Sequence, residues 1–180
     1  MMRFQGAMIC AAAASLCLPS SFALAQETRT AGPDRIELTA AGVTLSAQMP
    51  CDQPSNGPEE PGAPESRVCI VGDQMFIFAV SSNVTSNHPS SMPSDFDAAY
   101  AEIEGSNDTV MIEESEADGR RVMSAERGPD PKFGLMRAIE FAPDSLAYAI
   151  TMSRPSRAEP LSDEYKQAMR DFVASLEVSE

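Results

Sequence analysis

The chain has no Trp, one His and two Lys, and its other aromatics are three Tyr and eight Phe in 180 residues. Each scarcity excludes something. A metal site built from several histidines is out, and a His-dependent triad would have to use His88. With 13 basic against 27 acidic side chains, the formal charge is −14. That balance argues against nucleic-acid binding, where phosphate contacts need clustered Lys and Arg. It argues equally against docking on an anionic membrane through a basic patch. There is no G-x-x-x-x-G-K-[ST] or G-x-G-x-x-G phosphate loop, no G-x-S-x-G nucleophile elbow, no C-x-x-C and no internal repeat.

What is present begins with an address. Arg3 precedes an apolar run from Ala7 to Leu18, and Ala23-Leu24-Ala25 forms an A-x-A site. This is the pattern of a signal peptide over residues 1–25, cleaved between Ala25 and Gln26. The run is too short to span a hydrocarbon core about 30 Å thick. Leu16 before Cys17 and Ile9 before Cys10 are a poor fit to a lipoprotein signal. No later stretch is long and apolar enough to cross a membrane. The expected product is periplasmic or secreted, slightly more acidic once Arg3 is gone, and without a transmembrane segment. Residues 26–34 read as a disordered leader and 35–180 as one globular domain.

Removal of the signal takes Cys10 and Cys17 and leaves Cys51 and Cys69. An even pair in an oxidising compartment is a disulfide candidate. Between them lie four Pro and two Gly, a composition expected to form a mobile exposed loop over 52–67 rather than a helix or packed strand. A bridge across it stabilises by about 3 kcal/mol in the chain-entropy model.

Further along, periodicity organises the chain. Ile36 and Leu38, a turn at Ala41-Gly42, then Val43, Leu45 and Ala47 read as a hairpin. Val68 to Val71 and Met75 to Val80 flank a Gly72-Asp73 turn. The second run is apolar on both sides and so predicts a strand covered on both faces. Ser94 is placed to cap a helix whose stripe is Phe96, Ala99, Tyr100 and Ile103, ending at Gly105. Val110 and Ile112 are expected on one face of the next strand, before an Asp118-Gly119 hairpin. Strands around Val122, around Phe133 to Phe141, and over Leu146 to Met152 follow, with a bulge expected near Met136. A closing helix capped by Ser162 carries Tyr165, Ala168, Met169, Phe172, Val173 and Leu176 on one face. The order predicts an α+β fold, with an antiparallel sheet of about six strands and two amphipathic helices in a helix/sheet/helix sandwich.

This order of elements resembles the PsbP-like fold of photosystem II extrinsic subunits and their bacterial relatives. The similar residues are Gly42-Val43-Thr44-Leu45 leading to Met49-Pro50, Asp118-Gly119-Arg120-Arg121-Val122, Tyr148-Ala149-Ile150, and the ending Phe172-Val173-Ala174-Ser175-Leu176. Together they span roughly residues 40–178. The Pro-rich loop bounded by cysteines and the absence of Trp depart from the pattern. The resemblance implies a non-enzymatic protein that binds partner proteins or tunes a larger assembly, and no catalytic residue carries over.

Side-chain chemistry offers few other candidates. His88 lies beside Pro89 near Ser86, Ser90 and Ser91, but neighbours in sequence do not make a triad. Glu113, Glu114, Glu116 and Asp118 form the densest acidic run; without EF-hand spacing it reads as a solvated hairpin tip. Arg120, Arg121, Arg127 and Arg137 are the main basic group. They bind an anion or an acidic partner patch if adjacent strands unite them, and otherwise pair with glutamates across strands. The expectation is therefore an exported accessory or interaction domain of the bacterial cell envelope with a protein partner, and no catalytic residue, metal ligand or cofactor. The alternative is a carboxylate-based enzyme or a metal- or ligand-binding protein of the periplasm.

Overall fold

A computed structural model describes residues 34–57, 64–82, 92–128, 133–153 and 160–179. The signal peptide with its Ala25–Gln26 cleavage site, the leader up to residue 33, and His88 lie outside the described residues.

The opening hairpin forms as its alternation predicts, with β1 (Asp34–Ala40) paired to β2 (Val43–Met49). Ala41 and Gly42 take φ of 52° and 79°, the left-handed pair that suits a two-residue hairpin turn. After β3 (Ser55–Asn56) come β4 (Ser66–Val71) and β5 (Gln74–Ser82), then α1 (Phe96–Glu104). A meander of β6 (Thr109–Ala117), β7 (Arg120–Arg127), β8 (Gly134–Ala142) and β9 (Ser145–Ser153) leads to α2 (Asp163–Ala174) and β10 (Glu177–Ser179). Asp118 and Gly119, at φ 51° and 72°, repeat the same turn chemistry between β6 and β7.

The fold is α+β, but its strands make two sheets. Seven run in the order β3-β4-β5-β9-β8-β7-β6, and three in the order β1-β2-β10. The single sheet of about six strands is thus replaced by a larger sheet and a separate small one that contains the opening hairpin. β10 closes the small sheet because Val178 pairs with Leu45, which is fully buried. Arg35 of β1 ties the same strands together, donating to Ser46 Oγ at 2.7 Å and forming an ion pair with Glu177.

The two faces of the large sheet carry different cores. On one, Phe76, Phe78, Val122, Ile139 and Ala149 pack with Met169 and Phe172 of α2 and with Leu38, Leu45 and Met49 of the small sheet. Phe76 and Phe172 meet edge to face, with ring centroids 5.5 Å apart. On the other, Phe96 and Ala99 of α1 cover Met123, Ala125, Ala138, Leu146 and Tyr148. Two-sided covering is therefore partial: helix and small sheet cover β5 and β9 on one side, while on the α1 side β5 buries Ala79 and Ser81 but leaves Met75 and Ile77 half-buried.

Local differences from expectation have physical causes. Asp95, not Ser94, caps α1, its carboxylate accepting from the Ala98 N–H at 2.7 Å. Ser162 caps α2 as expected. No bulge falls at Met136, which stays in register with Ile150; Leu135 and Met136 adjoin because each faces a different core. The irregularities lie instead between Glu140 and Ala142 and between Thr109 and Met111. The latter separates Val110, 65% exposed, from Ile112, which packs under α1. Within 52–67, Ser55–Asn56 pairs with Val68 and Arg67, and β4 already begins at Ser66. Cys51 and Cys69 stand at disulfide distance, Cα atoms 6.1 Å apart, within the span such a bond requires.

Candidate functional site

Strand alternation decides the fate of the four arginines. Successive side chains point to opposite faces, and Val122 belongs to the α2-side core while Met123 belongs to the α1-side core. Arg121 and Arg127 therefore share the α1 face, and Arg120 shares the α2 face with Arg137, whose neighbours Met136 and Ala138 face α1. The expected single patch is divided two and two.

On the α1 face, Arg121 is fully engaged. It donates to Glu114 at 2.9 Å and to Asp97 at 2.7 Å, and its guanidinium lies 3.9 Å from the centre of the Phe96 ring. Hydrogen bonds to Glu114 and Asp97, in that order, raise its pKa and keep it charged. Its role is to fasten α1 to the β6–β7 hairpin, which is the cross-strand outcome. Arg127 lies 3.6 Å from Asp108. Tyr148, buried under α1, donates to the Pro93 carbonyl at 2.6 Å. Burial first, and Glu102 second, push its pKa upward.

On the α2 face, Arg120 and Arg137 line a cleft of about 320 Å³. Its other walls are Ala117 at the end of β6, Asp118 of the turn, Ile139 of β8, Ala174 at the end of α2, Leu176, and Glu177 to Ser179 of β10. Arg137 also borders a neighbouring cleft of about 190 Å³ that holds Arg170. Its Nε is buried and has no hydrogen-bond partner. The basic residues were legible in the sequence, but β10 was not: three residues are too short for a periodic signal.

A second feature had no sequence signal. α1 packs against the β6 side of the sheet, and the same face continues toward β4 as an apolar block. There Val68, Ile77 and Ile150 stand in one cross-strand row, and Ile70, Met75 and Met152 in the next. Ile70 is 53% exposed; the other five are half-buried. An apolar hollow of about 180 Å³ adjoins this block, lined by Ile103, Met136, Ile150 and Met152 with Arg127 at its edge.

The acidic run behaves as a hairpin tip, with Glu114 paired to Arg121. Among the described residues no three His, Cys, Asp or Glu side chains come together in a way that could hold a metal ion. No described helix is long and apolar enough to cross a membrane.

No protein-family model matches the sequence, and no curated protein sequence does. The structure is similar to the solution structure of cyanobacterial PsbP (CyanoP) from Synechocystis sp. PCC 6803, at 14% identity and a TM-score of 0.50. The match covers 84% of this chain and 95% of that one. The chain has a PsbP-like fold, as the element order and short motifs implied.

Proposed function

We propose that this chain is an exported accessory protein of the bacterial cell envelope that works by docking on a partner protein rather than by catalysis. The observation that carries this is the two-row apolar block on β4, β5 and β9. Its outer residue, Ile70, is 53% exposed, and an exposed apolar side chain continuous with such a block is the kind of surface a partner covers. Two of its six residues are methionines, whose flexible thioethers adapt to a partner's surface. The PsbP-like fold agrees by analogy, since the resemblance implies partner binding, although fold alone does not assign function. The signal pattern supports export, and the Cys51–Cys69 pair suits an oxidising compartment.

The test compares the tagged full chain with its I70E and E113Q variants, each recovered from its own envelope fraction after chemical crosslinking. One partner of defined mass is expected with the unmodified chain and with E113Q, and at least tenfold less with I70E at an unchanged melting temperature. Equal recovery with I70E, or no partner at all, overturns the proposal. N-terminal sequencing of the exported chain should start at Gln26.

A further inference from the structure

The cleft on the α2 face combines two features that call for one kind of ligand. The first is an open strand edge. Among the described residues β10 is the end strand of the β1-β2-β10 sheet and pairs with β2 alone. The cleft is lined by Glu177, Val178 and Ser179 but by no residue of β1 or β2, which places it on the side of β10 away from β2. The second is positive charge on an apolar floor: Arg137 beside Ile139 and Leu176. The two acids in the wall do not cancel this charge equally. Glu177 is held by Arg35, and Asp118 sits in the hairpin turn.

We propose that this cleft takes an extended peptide segment of a partner protein, which adds as a fourth strand along β10 and sets an acidic side chain against Arg137. Strand addition supplies main-chain hydrogen bonds to an edge that lacks them, and pockets for alternate side chains supply selectivity. Arg137 carries the selectivity. A guanidinium nitrogen that is buried and unbonded retains a desolvation cost, and a carboxylate on the same group offsets it. A carboxylate is also the partner that matches guanidinium geometry. The volume, about 320 Å³, lies within the range of ligand pockets, about 300–1,000 Å³. Because the whole chain is at −14, it repels an acidic peptide at long range, so selection arises from contact inside the cleft. This deepens the docking function and rests on it, but it uses a surface on the opposite face from Ile70.

The experiment uses the mature chain and two capped six-residue peptides, alternating Val and Thr, that differ only by Glu or Gln at the third position. Titration calorimetry should show the Glu peptide binding at least tenfold more tightly than the Gln peptide. R137Q should abolish that difference, and hydrogen exchange at residues 177–179 should slow only in the complex. If R137Q fails to fold, the comparison of peptides on the unmodified chain and on R137K decides. Equal binding of both peptides overturns the proposal. So does free glutarate binding as tightly as the Glu peptide without slowing exchange in β10, which would mark a carboxylate site without strand addition. I70E should leave peptide binding intact, so failure here and failure of the apolar docking face are read separately.

Discussion

Replacing Phe172 by Ala tests how α2 and the small sheet are held on the large sheet. Phe172 is 2% exposed and sits in the centre of the larger core. It meets the Phe76 ring edge to face, at 88° between planes. Truncating a buried Phe to Ala costs about 3–5 kcal/mol, as lost transfer energy plus the cavity left behind. The edge-to-face contact falls within that figure, and alone accounts for about 0.5–1.5 kcal/mol. For a domain of this size each kcal/mol moves the melting temperature by about 2–4 °C. The expected loss is therefore roughly 6–20 °C. Urea unfolding followed by tyrosine fluorescence and by circular dichroism should show one coincident transition at lower midpoint. A loss under about 1 kcal/mol would refute the packing argument, because only an exposed or freely collapsing site behaves so.

Three further outcomes follow from other parts of the structure. Converting Cys51 and Cys69 together to Ser should cost about 3 kcal/mol by the chain-entropy model, and titration of the folded, exported chain should find no free thiol; two thiols per chain would contradict the bridge. G134A should destabilise by about 1–3 kcal/mol in thermal melts, because a Cβ there would meet the Thr151 carbonyl oxygen at 2.7 Å; a neutral result would mean that β8 and β9 separate easily. Tyr148 is held neutral by burial, so its folded pKa lies above the unfolded one. Its contribution is complete below about pH 10 and lost as the unfolded chain ionises above it. Unfolding free energy should fall with pH there, Y148F should flatten that fall, and an unchanged slope in Y148F would assign it to other groups.

The sequence reveals what periodicity and turn chemistry control. Gly42 and Gly119 marked two of the hairpins because glycine accepts the positive φ that such turns need. The stripe from Tyr165 to Val173 marked α2, and the doubly apolar Met75 to Val80 announced a central strand, although its Met75 and Ile77 are only half-buried on the α1 side. What stayed hidden depends on contacts remote in sequence. Whether the opening hairpin joins the main sheet is decided by β10, whose three residues carry no pattern of their own. The arginines were visible, but their division was not, because register sets which face each occupies. Nor was the apolar block visible: Val68, Ile70 and Met75 read as ordinary strand residues, and only the placement of α1 toward β6 leaves Ile70 exposed and the other two half-buried.

The most direct test of the proposed docking function is a photocrosslinking amino acid placed at position 70, with position 113 on β6 as control, in the full chain expressed in its native host. Irradiation should give one covalent adduct of a single protein from position 70 and none from position 113. The same adduct from both positions, or none from position 70 with the chain folded and exported, would contradict the account.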